Sequence, residues 1–441
     1  MNKKLNILLL SSISPYRSAN LGLDTFKSLE EAGHNVDLIT KHRFDGMSPR
    51  MFSIYNTYEP QNKLSLRGRL KKMFPFLGYL NPVNYFRKRS DYCIVNKIEK
   101  EPAVEVSLII DKIDKIQNKY DLVITLFWYS MMTAETLKHV YEKLKCPIFI
   151  QAVDMHPMTG GCFYFRDCRR FLNACGKCPG LFSDDENDQT HINFLVKKEI
   201  YASIRYVYIG NTWMCEWARK THLFDPAFIK RGGVVINQDV FLDVDKREAR
   251  KSLGLPASKK FIIFSGAASL RDKRKGPDVL VKSVNAFYEK LSPEEKEQTL
   301  LVLAGRDGKQ IQKYIQMDVY SMNFLNAPQL ALTYAAADVY LSTTIEDAGP
   351  SMVNQALMCG TPVVAFEIGV ALDIVEIGET GYRAKHLDID DFAQGIWYLY
   401  NLDAEKRMQM SRKCREIALQ ESSYASFAAR IARIYQEIKD L

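Results

Sequence analysis

The chain has 441 residues, of which 47% are hydrophobic and 25% charged, and its formal net charge is +8. This balance is that of an ordinary soluble protein, and the length exceeds what one hydrophobic core usually organises, so we expect two domains. The modest positive charge is compatible with an anionic ligand or a phospholipid surface. No arginine-rich tail, zinc finger or RNA-binding signature favours nucleic acid as a partner.

The N-terminal residues imitate the start of a signal peptide. Lys3 and Lys4 precede an apolar run over residues 5–10, but the run is short and continues without a small-residue cleavage pattern. We therefore interpret residues 5–10 as the first buried strand. No uninterrupted apolar run approaches about 20 residues, so we predict no transmembrane helix.

Strands and helices alternate twice along the chain, which predicts α/β domains built on doubly wound parallel sheets. In the first half the predicted strands are 5–10, 36–39, 122–126, 147–153 and 205–209, and the predicted helices are 22–32, 109–119 and 213–221. In the second half the predicted strands are 260–265, 299–304 and 338–342, and the predicted helices are 276–290, 330–337 and 424–441.

Residues 340–365 form the most informative βαβ unit of the chain. Gly349 and Pro350 break the chain after a strand, helical spacing follows, and Gly360 ends the helix before the next strand. The loop carries carboxylates where the carboxyl end of a strand meets a helix N-terminus. Ligands usually bind at this place in open parallel sheets.

Residues 345–365 resemble the donor-nucleotide signature of the family-4 retaining glycosyltransferases, which have the two-domain GT-B fold. That family has two glutamates separated by seven residues, and alignment on residues 359–362 puts Asp347 and Gln355 at their positions. The resemblance implies that Gln355 binds ribose hydroxyls as a neutral amide, and that Asp347 or Glu346 accepts hydrogen bonds from the donor sugar. It also implies further donor-binding residues in the same loop: Gly349, Pro350, Ser351 and Met352.

The resemblance covers nearly the whole C-terminal half and, more weakly, the N-terminal half. It implies two Rossmann-like domains that face a central cleft. We expect an acceptor-binding domain at residues 1–237, a nucleotide-sugar-binding domain at 238–420, and a last helix at 421–441 that crosses back to the first domain. Residues 234–241 resemble the interdomain turn of the family.

A glycine-rich basic loop over residues 266–277 follows a predicted strand. In the family a Gly-Arg pair and a Lys-Gly pair hold the diphosphate, and Lys275 with Gly276 matches the second pair. Ala267 follows Gly266 where the family has arginine, so we expect Arg271 to substitute. For Lys273 and Arg274 a solvated basic loop explains the sequence equally well. Gly369 lies in a segment that resembles the turn behind the diphosphate and base.

The second site element is Asp154 to Cys162, at the end of a predicted strand. In the family a histidine at this place faces the cleft close to the donor sugar, so His156 is expected to position that sugar. The resemblance therefore implies a catalytic set of His156, Asp154, Lys275 and Asp347. The alternative for His156 is a histidine that is packed in the core and has only a structural role.

Four cysteines are clustered within residues 162–178, which we call the cysteine segment: Cys162, Cys168, Cys175 and Cys178. This spacing suits a structural tetrahedral zinc site, and the run resembles that of some polysaccharide glycosyltransferases. Two disulfides, an iron–sulfur cluster and free thiols remain alternatives, although a cytoplasmic setting disfavours disulfides. We expect no cofactor for the chemistry itself, because four thiolates would close the coordination shell of a metal.

Two acidic runs imitate cation sites. The run 243–245 resembles the Asp-x-Asp metal motif of the other glycosyltransferase fold, and the run 184–188 is a cluster of carboxylates. We interpret both as solvated or helix-capping residues.

Residues 63–89 mix eight basic residues with many apolar and aromatic ones. This composition predicts a surface that lies on an anionic membrane and receives a lipid-linked acceptor. Packing on the protein's own surface is the alternative.

The sequence as a whole predicts a cytoplasmic, peripherally membrane-associated retaining glycosyltransferase. It would transfer a sugar from a nucleotide-diphosphate sugar to a saccharide or lipid-linked acceptor in cell-surface polysaccharide biosynthesis. The alternatives are another enzyme of the same fold, such as a nucleotide-sugar epimerase or a phosphorylase, and a non-catalytic binding subunit.

Overall fold

The computed structural model describes residues 4–12, 21–58 and 98–439. These residues form two α/β domains, each with one parallel sheet. Residues 63–89, for which a membrane surface is predicted, lie outside the described residues.

The first domain contains a seven-stranded sheet with the order β3-β2-β1-β4-β5-β6-β7. Its strands are β1 (Asn6–Ser11), β2 (Asn35–Arg43), β3 (Met51–Tyr58), β4 (Leu122–Leu126), β5 (Ile148–Gln151), β6 (Tyr206–Gly210) and β7 (Ile229–Arg231). Its described helices are α1 (Leu21–Glu31), α2 (Val106–Ile116), α3 (Ala134–Leu144), α4 (Gln189–Ser203) and α5 (Thr212–Lys220).

The second domain contains a six-stranded sheet with the order β10-β9-β8-β11-β12-β13. Its helices are α6 (Lys246–Ser252), α7 (Pro277–Glu289), α8 (Pro293–Gln298), α9 (Gly308–Gln312), α10 (Ala327–Ala336), α11 (Ser351–Met358), α12 (Ala371–Ile374), α13 (Ile389–Tyr400) and α14 (Ala404–Ser422). Its strands are β8 (Phe261–Ser269), β9 (Thr299–Arg306), β10 (Val319–Met322), β11 (Val339–Ser342), β12 (Val363–Phe366) and β13 (Gly381–Ala384).

The strand order reverses at the same place in both sheets. The first strand of each sheet lies inside it, and the fourth strand pairs with the first: β4 with β1 and β11 with β8. The loops diverge at this point and leave a crevice beyond the carboxyl ends of the strands. The predicted doubly wound architecture is confirmed.

The two acidic runs, 184–188 and 243–245, each contain a residue that caps a helix. The Asp245 carboxylate accepts hydrogen bonds from the first backbone N–H groups of α6, and the Asp188 carboxylate does the same for α4. Both therefore satisfy backbone donors that a helix start leaves unpaired. The prediction that these runs contain capping residues is confirmed for Asp188 and Asp245.

The last helix, α15 (Tyr424–Ile438), follows α14 in the chain but packs on the first domain. Its apolar face joins a buried cluster with the first strand and helix, and the Ser28 hydroxyl donates to the Tyr424 carbonyl at 2.7 Å. This helix therefore packs in the same hydrophobic core as β1 and α1. Among the described helices, none is long and apolar enough to cross a membrane.

Candidate active site

A cavity of about 510 Å³ lies between the two domains, at the carboxyl ends of their strands. The first domain contributes residues that end or follow β5 and β6, including Gln151, Val153 and Asn211. The second domain contributes most of the residues predicted to bind the donor. Those that line the cavity are Gly266, Lys275, Asp347, Gly349, Pro350, Ser351, Met352 and Gln355.

Lys275 and Asp347 form an ion pair in the cavity wall, in which the Lys275 ammonium donates to Asp347 Oδ2. The Gly349 N–H donates to the other carboxylate oxygen at 3.1 Å. Burial opposes the ionisation of Asp347, but the charge and hydrogen bond of Lys275 outweigh it and lower the pKa of Asp347. The pair therefore places a fixed cation and a fixed anion side by side in the cleft.

The close packing of Gly276 fixes the position of its neighbour Lys275. Its φ is +62°, and a Cβ at this position would lie 1.9 Å from the Thr343 carbonyl oxygen. The Thr343 hydroxyl also donates to the Lys275 carbonyl at 2.8 Å. Only glycine allows this close approach, which packs the basic loop against the end of β11 and starts α7 at the cavity.

Gln355 projects from α11 and is only 2% exposed. Its Oε1 accepts a hydrogen bond of 3.4 Å from the hydroxyl of Tyr334, which is fully buried. This bond orients the amide so that its N–H groups can donate to a ligand such as a ribose hydroxyl. An amide at position 355 can make these hydrogen bonds, and it places no second carboxylate beside Asp347.

Gly369 does not line the cavity but supports it. Its φ is +55°, and a Cβ there would lie 3.0 Å from the carbonyl oxygen of Asp347. The residue therefore packs behind the loop that holds the carboxylate.

We expected Arg271 to replace the missing phosphate-binding arginine, but Arg271 is not among the residues that line the cavity. Its side chain is 67% exposed, and its Nε lies 3.2 Å from Asp307 Oδ1 and 3.1 Å from Gln310 Oε1. Leu270, which precedes it, is buried in the core of the second domain. Anchoring Leu270 inward turns Arg271 away from the cavity.

Arg274 is the basic residue that sequence reasoning undervalued. Its guanidinium lies 4.0 Å from the ring centroid of Tyr164 in the first domain, and its Nη2 donates to Asp272 at 2.6 Å. The charge of Arg274 helps to lower the pKa of Asp347, after Lys275 and the Gly349 N–H. Its place directly before the Lys-Gly pair was the only available signal.

Glu346 is also placed differently from the expectation. It does not line the cavity, and its Oε1 accepts from the backbone N–H of Arg166, across the cleft in the first domain. Burial raises the pKa of Glu346, although this N–H opposes the shift. The carboxylate therefore joins the two domains, and Asp347 is the member of the acidic pair that lines the cavity.

His156 is not among the residues that line this cavity, which differs from the expectation given by the family resemblance. It is 5% exposed, its ring contacts Trp128 and Phe163, and its Nε2 lies 3.5 Å from Glu99 Oε1. A buried ion pair lies beside it. Lys197, which is fully buried, lies 3.1 Å from Glu99 and donates to the His156 carbonyl at 2.7 Å.

Asp154 also lies outside the set of residues that line the cavity. Its carboxylate accepts from the His156 N–H at 2.9 Å. Burial raises the pKa of Asp154 to about 6, and the charge of Asp347 adds to the rise. This coupling shows that the strand end of the first domain lies near the acidic loop of the second.

The four cysteines of the cysteine segment are thiols without disulfide bonds. Cys175 Sγ accepts from the Gly160 N–H at 3.3 Å, and the Cys178 N–H donates to Asp188 at 2.8 Å. Among the described residues, no group of three or more histidine, cysteine or acidic side chains is arranged to hold a metal ion. The structural zinc site that their spacing predicts stays a prediction.

Comparisons with known proteins agree with this geometry. Residues 245–417 match the family model described as Glycosyl transferases group 1. The chain is 29% identical over 195 residues to the D-inositol 3-phosphate glycosyltransferase of Arthrobacter sp., covering 43% of this chain and 45% of that protein. It is 27% identical over 196 residues to D-inositol 3-phosphate glycosyltransferase 2 of Catenulispora acidiphila, covering 42% and 44%. These matches span less than half the length of the curated relatives.

Solved structures match along nearly the whole chain. Sucrose-phosphate synthase from Thermosynechococcus elongatus aligns with a TM-score of 0.64 at 18% identity, covering 99% of this chain and 100% of that one. Anabaena HepE in complex with UDP-glucose aligns with a TM-score of 0.62 at 16% identity, with coverage of 99% and 100%. The chain therefore has the GT-B fold, and its residues 245–417 are similar to the family described as Glycosyl transferases group 1.

Proposed function

We propose that this protein transfers a sugar from a nucleotide-diphosphate sugar to a hydroxyl group of a saccharide acceptor, with retention of configuration, as in the family-4 enzymes that it resembles. The observation that carries the proposal is the arrangement of Lys275, Asp347 and Gln355 around the interdomain cavity. This arrangement offers a cation for phosphate, a carboxylate for sugar hydroxyls and an amide for ribose.

In the proposed reaction the bond between the anomeric carbon and the diphosphate oxygen breaks. A bond from the same carbon to the acceptor oxygen forms on the same face, and the proton of the acceptor hydroxyl leaves with the diphosphate. Lys275 stabilises the charge that develops on the leaving diphosphate. Asp347 holds a hydroxyl of the donor sugar, and Gln355 donates to the ribose.

The preferred nucleotide in this proposal is UDP. Anabaena HepE, whose fold this chain shares, is described in complexes with UDP and UDP-glucose. The acceptor in this proposal is a saccharide attached to a lipid at the cytoplasmic face of the membrane, in cell-surface polysaccharide biosynthesis. Its support is the basic and aromatic composition of residues 63–89.

The first experiment compares UDP, GDP, ADP and dTDP in a thermal-shift assay on the purified protein. A ligand that binds only the folded state raises the unfolding midpoint by mass action. We expect UDP to give the largest rise. A folded protein that responds to none of the four would contradict the proposed donor site.

The second experiment incubates UDP-sugars with and without a mixture of saccharide acceptors. A transferase releases UDP only when an acceptor is present, whereas an epimerase converts the sugar without one and a non-catalytic subunit does neither. The anomeric configuration of the product, read from its proton coupling constant, tests retention. Inversion would exclude the family-4 type of mechanism.

A further inference from the structure

The cysteine segment, residues 162–178, belongs to the first domain but reaches two residues of the second. The ring of Tyr164 covers the guanidinium of Arg274 at 4.0 Å, and the backbone N–H of Arg166 donates to the Glu346 carboxylate. Both contacts cross the interdomain cleft. They come from one short stretch that lies between Cys162 and Cys168.

Each of the two residues that the cysteine segment contacts is the sequence neighbour of a residue in the cavity wall. Arg274 directly precedes Lys275, and Glu346 directly precedes Asp347. Lys275 and Asp347 are the ion pair in the cavity wall. The cysteine segment therefore holds the residue before each member of the pair.

Arg274 also connects the two loops to each other. The Ile345 N–H donates to the Arg274 carbonyl at 2.8 Å, and the Arg274 side chain donates to Asp272 at 2.6 Å. Only 21% of the Arg274 side chain is exposed, and the ring of Tyr164 is one of the groups that shield it from water. A cation over an aromatic face is attracted by the ring, and more strongly when water is excluded.

The Arg166 contact depends on an unusual backbone. Its φ is +52°, in the left-handed region that residues other than glycine seldom adopt. Glu346 is 8% exposed, so its carboxylate depends on the Arg166 N–H within the contact between the domains. This contact fixes the start of the loop that carries Asp347.

We propose that Tyr164 and Arg166 are positioning residues of the donor site, which set the Lys275–Asp347 pair for the diphosphate when the two domains meet. This inference rests on the proposed transfer reaction. It gives the cysteine segment a role that requires no bound metal: the segment is the part of the acceptor-side domain that completes the nucleotide-sugar site. Donor affinity then depends on the closed arrangement of the domains.

The test uses the variants Tyr164→Ala and Tyr164→Phe, with Tyr314→Ala as the matched control. Tyr314 is a 61% exposed tyrosine that also lies against a cation, Lys313, but it does not line the cavity. We expect Tyr164→Ala to raise the donor KM about tenfold, equivalent to about 1.4 kcal/mol, while kcat changes less than about threefold. Tyr164→Phe keeps the ring over Arg274 and should recover most of the affinity.

A second pair of variants tests the Arg166 contact. Glu346→Gln keeps an oxygen that accepts from the Arg166 N–H, whereas Glu346→Ala removes it. We expect the alanine variant to raise the donor KM and the glutamine variant to stay within about threefold of the parent protein. Equal effects of the two would overturn the role assigned to this contact.

Hydrogen–deuterium exchange in the nucleotide-free protein separates this inference from the proposed function. We expect Tyr164→Ala to accelerate exchange in peptides that cover residues 271–277 and 345–349, and Tyr314→Ala to leave them unchanged. Unchanged exchange in both peptides of the Tyr164→Ala protein would overturn the inference. A parent protein that binds no nucleotide would overturn the proposed function, while the exchange comparison would still decide the positioning role.

Discussion

Lys275 and Asp347 are the residues on which the proposed chemistry of the cavity depends. Asp347 is 6% exposed, so its charge is tolerable there because the Lys275 ammonium and the Gly349 N–H face it. Lys275 in turn is held by the close packing of Gly276. The site is therefore built from groups that are already oriented before a ligand arrives.

Lys275→Ala should abolish the thermal shift produced by UDP and lower stability by about 1 to 3 kcal/mol, because it leaves a buried carboxylate without its cation. The measurement is urea unfolding with and without UDP. The double variant Lys275→Ala/Asp347→Ala should recover stability but not nucleotide binding. A Lys275→Ala protein with an undiminished UDP shift would contradict this assignment.

Asp24, in the cavity wall, should give the protein a pH-dependent stability. Burial raises the pKa of Asp24 to about 6, although hydrogen bonds from Tyr424 and Asn237 and the charge of Lys27 oppose the rise. The folded state therefore binds a proton between pH 3.8 and about 6 that the unfolded state has lost, so this residue lowers stability as pH rises through that window.

Asp24→Asn removes this titration and keeps an oxygen that accepts from the Tyr424 hydroxyl. We expect the variant to be more stable than the parent by up to about 3 kcal/mol at pH 7.5 and to match it near pH 4. Chemical unfolding at both pH values provides the measurement. A stability difference that is the same at both would show that Asp24 does not titrate in this way.

At the scale of elements, the strands and helices that were predicted are present, but helices α3, α4, α13 and α14 were not predicted. Strand β4 has the predicted bounds, 122–126, and the other predicted elements are displaced by a few residues. Strands β3, β7, β10 and β13 were not predicted. They are short or carry polar residues, and all four lie at sheet edges, where pairing with a neighbour rather than local pattern makes them strands.

Gly276→Ala tests how tightly the start of α7 is packed on the end of β11. The added Cβ would meet the Thr343 carbonyl oxygen at 1.9 Å, so we expect a loss of more than about 2 kcal/mol together with the loss of nucleotide binding. Gly254→Ala is the matched control, because Gly254 has a similar φ of +65° with no atom within 4 Å of the new Cβ.

The control should cost only about 1 kcal/mol, from the strained backbone alone. Both variants are compared by thermal unfolding and by the UDP shift. Equal stability losses would mean that the backbone conformation, and not the packing against β11, makes glycine necessary at position 276.

At the scale of the whole molecule, the domains are joined by polar contacts beside the cavity. Asp373 of the second domain accepts hydrogen bonds from the backbone N–H and hydroxyl of Thr212, and from Arg231 Nε at 3.0 Å. The Asn211 amide donates to the Ala348 carbonyl in the same region. These contacts hold the cleft in the arrangement that brings both halves of the site together.

Asp373→Ala should loosen this arrangement, giving a larger radius of gyration in small-angle X-ray scattering and weaker UDP binding. Asp338→Ala is the matched control: both carboxylates are 7% exposed, but Asp338 pairs with Lys246 and Arg250 inside the second domain. The control should lose stability without a change in scattering. An unchanged radius for Asp373→Ala would contradict a role in holding the domains together.

The sequence by itself determined the two α/β domains, because periodicity and turn residues are local. The family resemblance singled out Lys275, Gly276, Asp347 and Gln355, which lie in loops and helix starts beside predicted strands. Only the tertiary structure decided that Arg274 faces the other domain while Arg271 faces solvent, and that His156 and Glu346 lie outside the cavity wall. These placements depend on partners far along the chain, such as Tyr164, Arg166 and Lys197, whose proximity no local pattern encodes.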